Sequence, residues 1–420
     1  MVSELLQQVR VIDPVSETDQ ILDVLIVDDY IQEIAPEITD VNSDVAIKNC
    51  RGLILGNGLV DLYSHSGEPG FEERETLASL LQAATAGGFT RITVLPDTFP
   101  PIDQPALVSQ LQTSAQRANS PSTQLQIWAA MTLDLAGKQL TEFTDLVTSG
   151  VVGFTDSQPW ENLSVVRRML EYMQPFGKPV AFSPGDRQLT GNGVIREGGE
   201  ALRIGLPSVP TSAETCAIAS LLELVADIRT PIHIMRVSTA RSVQLIARAK
   251  EEGLPVTAST TWMHVILNTS SIRNYHTSLH LEPPLGNPYD VIALRQGLKT
   301  GVIDAIAIDH IGYTYEEKVQ AFAQSPPGAI GLEIALPILW QDLVTSGEFT
   351  ALELWRVLSD QPAACLQQQI PPIQPGEKAE LTLFDPDKIW IVNRKNLCTL
   401  SNNTPWFEQE IKGQVIQTWC

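Results

Sequence analysis

Residues Gly58–His65 read GLVDLYSH, an apolar run of strand length that opens on a glycine and closes on a histidine. Side chains two apart in a strand share a face, so Asp61, Tyr63 and His65 point the same way. Further runs of strand length follow at Phe89–Asp97, Leu125–Leu133, Val151–Asp156, Pro179–Ser183, Ile232–Val237, Val256–Thr260 and Ala305–Asp309. The stretches between them, such as Glu73–Ala86, Asn162–Met173, Ala213–Ile228, Ala240–Glu252 and Tyr289–Lys299, carry apolar residues three and four apart, the helical period. Eight strands, each followed by a helix, is the count of an α/β chain folded as a (β/α)₈ barrel of the TIM type. A doubly wound open sheet gives a similar alternation, but no glycine-rich dinucleotide loop follows the first strand.

Both ends of the chain read differently. Val9–Ile12, Ile21–Val27 and Ile31–Ile34 are short β-branched runs separated by turns such as Asp13-Pro14 and Asp28-Asp29. Glu380–Phe384, Ile389–Val392 and Glu410–Thr418 repeat that character. The predicted organisation is a small composite β-sandwich from residues 1–55 and 372–420, flanking a barrel of residues 56–371.

The chain carries 28 Lys+Arg against 49 Asp+Glu, a net charge of −21. Such a surface repels phosphate backbones and anionic membranes, which argues against nucleic-acid or membrane partners. The five cysteines form no C-x-x-C pair, which argues against a structural zinc or redox motif and fits a reducing compartment. The N-terminal stretch has no signal-peptide pattern and no run is long enough to span a bilayer, so a cytoplasmic location is expected.

A strand ending in His-x-His could hold two imidazoles on one metal. Here the first of those positions is Tyr63, and a lone His65 at a strand end is ordinarily a hydrogen-bonded structural residue. The segment Gly58–Thr76, GLVDLYSHSGEPGFEERET, nevertheless resembles the dihydroorotase signature, in which His-x-His precedes Leu-Arg-Glu-Pro-Gly-Phe-Glu. The similarity continues through AATAGGFTRITVLPDT, HIMRVSTARSVQLIARAKEEGLPVTA, LEPPLGNP, GVIDAIAIDHIGYTYEEK, PPGAIGLEIALPIL, PGEKAELTLFDP and SNNTPWF, in order along nearly the whole chain.

The resemblance implies an amidohydrolase barrel, a binuclear zinc centre and reversible hydrolysis of dihydroorotate in pyrimidine synthesis. Two metals would share a hydroxide, and an aspartate would carry the proton. By position, the catalytic aspartate is Asp309, the bridging carboxylate is Asp156, and His65 is the second ligand of the first strand. The other ligand histidines fall on Tyr63, Ser183 and Arg236. On the substrate side the family's arginines fall on Gly67 and Gly286, its asparagines on Asp97 and Glu282, and a histidine on Tyr313. An anion-binding pocket has thereby lost two guanidinium positions and gained two carboxylates. His233 reads as a structural residue turned outward or sideways, His264 as a surface or packing residue, and His310 as a support to Asp309.

The reading that follows is a dihydroorotase-like protein without dihydroorotase activity and with no tightly bound cofactor. It would act as a structural or regulatory partner of aspartate carbamoyltransferase within an oligomer. The alternative is an active metal-dependent cyclic amide hydrolase with a reduced site, using zinc on His65, Asp156 and Asp309. Arg236, at a ligand position, is expected to enter the metal space and donate to both Asp156 and Asp309, with the Tyr63 hydroxyl added beside it.

Overall fold

The computed structural model describes residues 3–118 and 123–420. Eight parallel strands form a nearly closed barrel: β1 (Leu59–Ser64), β2 (Phe89–Val94), β3 (Gln124–Ala129), β4 (Gly153–Phe154), β5 (Val180–Phe182), β6 (Ile232–Ile234), β7 (Val256–Thr261) and β8 (Ala305–Ala307). All eight predicted strands are present. They are buried on both faces, β1 along its whole length, as a sheet enclosed by helices requires. The backbone N–H of Asp309 donates to the Tyr63 carbonyl at 3.1 Å and that of His65 to the His310 carbonyl at 2.8 Å, which joins β8 to β1. Asp61 secures the same seam, accepting from the Ile308 N–H at 2.8 Å. Burial pushes its carboxyl up to about 7.

The helices form where the period placed them. In Leu163–Met173 the Asn162 side chain caps the first turn by accepting from the Ser164 N–H. Val166, Met169, Leu170 and Met173 then form the buried stripe of that helix.

The two chain ends join in one seven-stranded sheet, ordered Glu410–Trp419, Leu381–Ile391, Ile54–Asn57, Glu4–Asp13, Thr18–Val27 and Tyr30–Ala35, with Ala46–Asn49 also on Glu4–Asp13. Leu381–Phe384 runs antiparallel to Ile54–Asn57, which leads directly into β1. The two runs read at Glu380–Phe384 and Ile389–Val392 are one strand with an irregularity between Asp385 and Ile389. Ala46–Asn49 and Ile54–Asn57 are strands too short to stand out in the pattern. Among the described residues, no helix is long and apolar enough to cross a membrane.

Candidate functional site

The C-terminal ends of β1, β2, β6 and β8 bring four charged side chains together. Arg236, two residues past β6, and Asp309, two residues past β8, both hold positive φ values, 52° and 53°. A non-glycine residue there costs of order 1–3 kcal/mol and persists where its surroundings over-determine it. Those surroundings are a fork-to-fork ion pair. Arg236 Nε donates to Asp309 Oδ2 at 2.8 Å and Nη2 to Oδ1 at 2.6 Å. The Arg236 side chain is 6% exposed and that of Asp309 18%. Nη1 donates to the Ser157 carbonyl at 3.0 Å and to Ser183 Oγ at 3.4 Å, while Nη2 also lies 3.2 Å from His65 Nε2. Four of the five guanidinium N–H groups are thus engaged by Asp309, Ser157 and Ser183, and the fifth is turned toward His65.

His65 completes the cluster. Its Nδ1–H donates to Asp97 Oδ2 at 2.6 Å, and its Nε2 lies 3.4 Å from Asp309 Oδ1. Burial works against charge on this imidazole, but Asp97, then Asp309, outweigh it and push it up to about 9. At neutral pH the cluster is therefore two cations and two carboxylates. Burial would raise Asp309, yet Arg236 holds it well below the usual carboxylate range, and His65 does the same for Asp97.

Asp156 is not in this cluster. It accepts from the backbone N–H groups of Met131 at 2.8 Å and Thr132 at 3.0 Å through Oδ1, and from Thr132 Oγ1 at 2.7 Å through Oδ2. The expectation that Arg236 would bind both carboxylates is corrected: it binds Asp309 alone, because the loop after β3 supplies Asp156 with neutral donors. Burial raises the Asp156 carboxyl despite those bonds. Tyr63 is also corrected. Its hydroxyl reaches neither carboxylate but accepts from the Arg236 backbone N–H at 3.0 Å and pairs with Ser259 Oγ at 3.0 Å. Ser259 in turn meets His233 Nε2 at 2.8 Å, and His233 Nδ1 pairs with Thr257 Oγ1 at 2.9 Å. His233 is therefore structural but turned into the barrel, where burial lowers it to about 3. Among the described residues, no three His, Cys, Asp or Glu side chains are grouped so as to hold a metal ion.

Above the cluster lies a cavity of about 250 Å³, walled in part by Trp262, His264, Tyr313 and Glu282. His264 is buried and neutral in character: its Nδ1 pairs with Thr261 Oγ1 at 2.7 Å, its Nε2 with the Pro283 carbonyl at 3.0 Å, and burial lowers it to about 4.

The family model described as Dihydro-orotase-like matches residues 52–242. A probable dihydroorotase-like protein of Synechocystis sp. is 41% identical over 97% of this chain and 98% of its own length. The dihydroorotase of Syntrophus aciditrophicus is 35% identical over 99% of this chain and 97% of its own. The chain belongs to the dihydroorotase-like family. Among solved structures, the L-hydantoinase (dihydropyrimidinase) of Arthrobacter aurescens superposes with a TM-score of 0.86 at 21% identity, covering 100% of this chain and 94% of that one. A D-hydantoinase (dihydropyrimidinase) from Thermus sp. gives 0.80 at 17% identity, over 98% and 93%. Both show the amidohydrolase barrel fold.

The positions expected from the resemblance to lie on the substrate side are packed by this chain's own residues. A Cβ on Gly67 would stand 2.2 Å from the Glu75 carbonyl and 2.6 Å from that of Phe71, so the 66–75 loop fills the space of a side chain. On Gly286 it would meet Asp290 Cβ at 2.6 Å and the Ser238 carbonyl at 2.8 Å. Asp97, read as a carboxylate facing substrate, lines the axial cavity and is paired there with His65. Glu282 is exposed at the rim. The Tyr313 hydroxyl donates to the Pro327 carbonyl at 3.1 Å, and its ring lies between Arg74 at 5.0 Å and Lys318 at 4.9 Å. His310 supports the Asp309 loop: its Nδ1 accepts from the Gly331 N–H at 3.2 Å, and its Nε2 lies 3.5 Å from buried Glu75. The sequence reading missed Thr132, Ser157 and Ser259. Thr132 and Ser157 sit just past β3 and β4, and that position at the mouth was the available signal.

Proposed function

We propose that this member of the dihydroorotase-like family lacks dihydroorotase activity. In this reading it serves pyrimidine biosynthesis as a structural or regulatory partner of aspartate carbamoyltransferase, within an oligomeric assembly. The observation that carries the reading is the Arg236–Asp309 pair, with both guanidinium edges on the carboxylate at 2.6 and 2.8 Å. A binuclear centre needs neutral histidines and free carboxylates converging on two ions. The residues at this mouth do not fit one. A permanently charged guanidinium stands at the strand-six ligand position, the Tyr63 hydroxyl is engaged with the Arg236 N–H and Ser259, and Asp156 is turned to the 131–132 loop. The substrate side supports the same reading, since Gly67 and Gly286 offer no guanidinium to a carboxylate ligand and no room for one.

The test has two arms. Elemental analysis after mild dialysis is expected to find well under about one zinc per chain, with no hydrolysis of dihydroorotate and no cyclisation of carbamoyl aspartate above background. Mixing with aspartate carbamoyltransferase is expected to give co-elution and a change in the transferase's kinetics or stability. Two zinc ions retained per chain, with turnover of dihydroorotate, would sink the first part and favour a metal-dependent cyclic amide hydrolase. Separate elution with unchanged transferase activity would sink the second.

A further inference from the structure

Beside the axial cavity, and larger than it, lies a second one of about 560 Å³. The two share only Gln158, Pro159 and Arg187, which form the partition between them. We propose that this lateral cavity is a binding site for a small acid with a compact apolar body, such as an arylacetate.

Its position and lining carry the case. It opens between the loops after β3, β4 and β5, to one side of the barrel axis. Trp160 and Phe182 meet edge to face at 5.2 Å in its wall, and Met131, Val166 and Met169 bring further apolar surface. Small-molecule sites are concave, largely apolar and of roughly 300–1,000 Å³, with a few polar groups that fix orientation. This cavity has that volume, with apolar side chains on one wall and polar groups about its rim.

Those polar groups set the ligand's chemistry. Asp156 borders the cavity, buried at 9% exposure and already accepting from Thr132 and Met131. A carboxylate beside it would be repelled, so the deep part takes the apolar body. The exposed rim carries two cations. Lys138 makes no hydrogen bond or ion pair among the described residues. Among the described residues Arg187 pairs with Glu161 and Gln158 alone, at 3.0 and 2.6 Å, on side chains that are 52% exposed for Arg187 and 72% for Glu161. Exposed pairs of that kind are worth little, and an anionic ligand can compete for the guanidinium. In a chain of net charge −21, a free ammonium and a weakly held guanidinium on this polar rim, beside Glu161, favour an anion locally.

None of this depends on the metal content or activity of the axial site. The experiment is titration calorimetry of the full chain with phenylacetate and indole-3-acetate, and with uncharged indole as the comparison. Saturable binding of both acids is expected, weakened about tenfold by Lys138→Ala. Val166→Trp, which fills the floor, is expected to abolish it, and Leu140→Trp at the half-buried rim does the same should the first variant fail to fold. Absence of saturable binding up to about 10 mM overturns the proposal. So does an affinity for indole equal to that for its acid, or binding that both tryptophan variants leave intact.

Discussion

Asp156 and Asp309 stand at the ends of two strands of one barrel, and the fold treats them in opposite ways. Asp309 keeps its charge because Arg236 lies against both of its oxygens, with His65 alongside. Asp156 makes no ion pair among the described residues and is satisfied by two backbone N–H groups and a hydroxyl, while burial raises its carboxyl. A carboxylate deprived of a metal can be stabilised by a replacement cation or by neutral donors. The first solution ties together three strand ends; the second ties one loop to one strand.

The largest expected effect comes from removing the cation. Arg236→Met leaves Asp309 buried without its guanidinium and is expected to destabilise the protein by roughly 3–5 kcal/mol. Denaturant unfolding measures this, and Asp309→Asn added to it is expected to recover part of the loss, as for a coupled pair. A variant as stable as the parent would erase the distinction between the two carboxylates.

A smaller effect is expected at the neutral site. Asp156→Ala orphans two backbone donors and should cost roughly 1–3 kcal/mol. Combined with Arg236→Met, the two losses are expected to add within about 0.5 kcal/mol, because Arg236 and Asp156 share no hydrogen bond. Strong coupling in that cycle would mean that the guanidinium serves both carboxylates after all.

The smallest effect concerns His65. A cation whose folded value is pushed up to about 9 gives its full contribution below its unfolded value and loses it as pH rises through 9. The stability gap between the parent and His65→Gln is therefore expected to narrow from about pH 6.5 to about pH 9. A flat difference across that window would show that His65 is neutral, and the cluster would then carry a net negative charge.

The barrel was legible because its strands are apolar runs and its helices carry a 3.6-residue stripe, signals that belong to contiguous residues. Arg236 was legible for another reason: the resemblance places it and Asp309 at positions that meet in one metal site, so a guanidinium there was expected to face that carboxylate. The rest depended on distant neighbours. Asp156 is claimed by Thr132, 24 positions upstream, and nothing in the spacing marks that threonine as its donor. Tyr63 reads as a polar addition to the mouth, but its hydroxyl sits one layer deeper, where Ser259 and the Arg236 N–H receive it. His233 was misplaced because strand alternation was counted from a ligand position that lies beyond the last residue of β6. The pairing of Asp97 with His65, 32 positions upstream, was not marked by spacing either.

Gly67 has a consequence for what the 66–75 loop can accept. A side chain of any kind there collides with the carbonyls of Phe71 and Glu75. Glu75 is itself fastened by the C-terminal segment, through Thr399 Oγ1 and the Leu400 N–H, and by Ser79 from the following helix. An arginine cannot be accommodated at that position by one substitution, since the loop would first have to detach from residues more than three hundred positions away. The closure acts as a latch: as long as Thr399, Leu400 and Ser79 hold Glu75, position 67 admits no side chain.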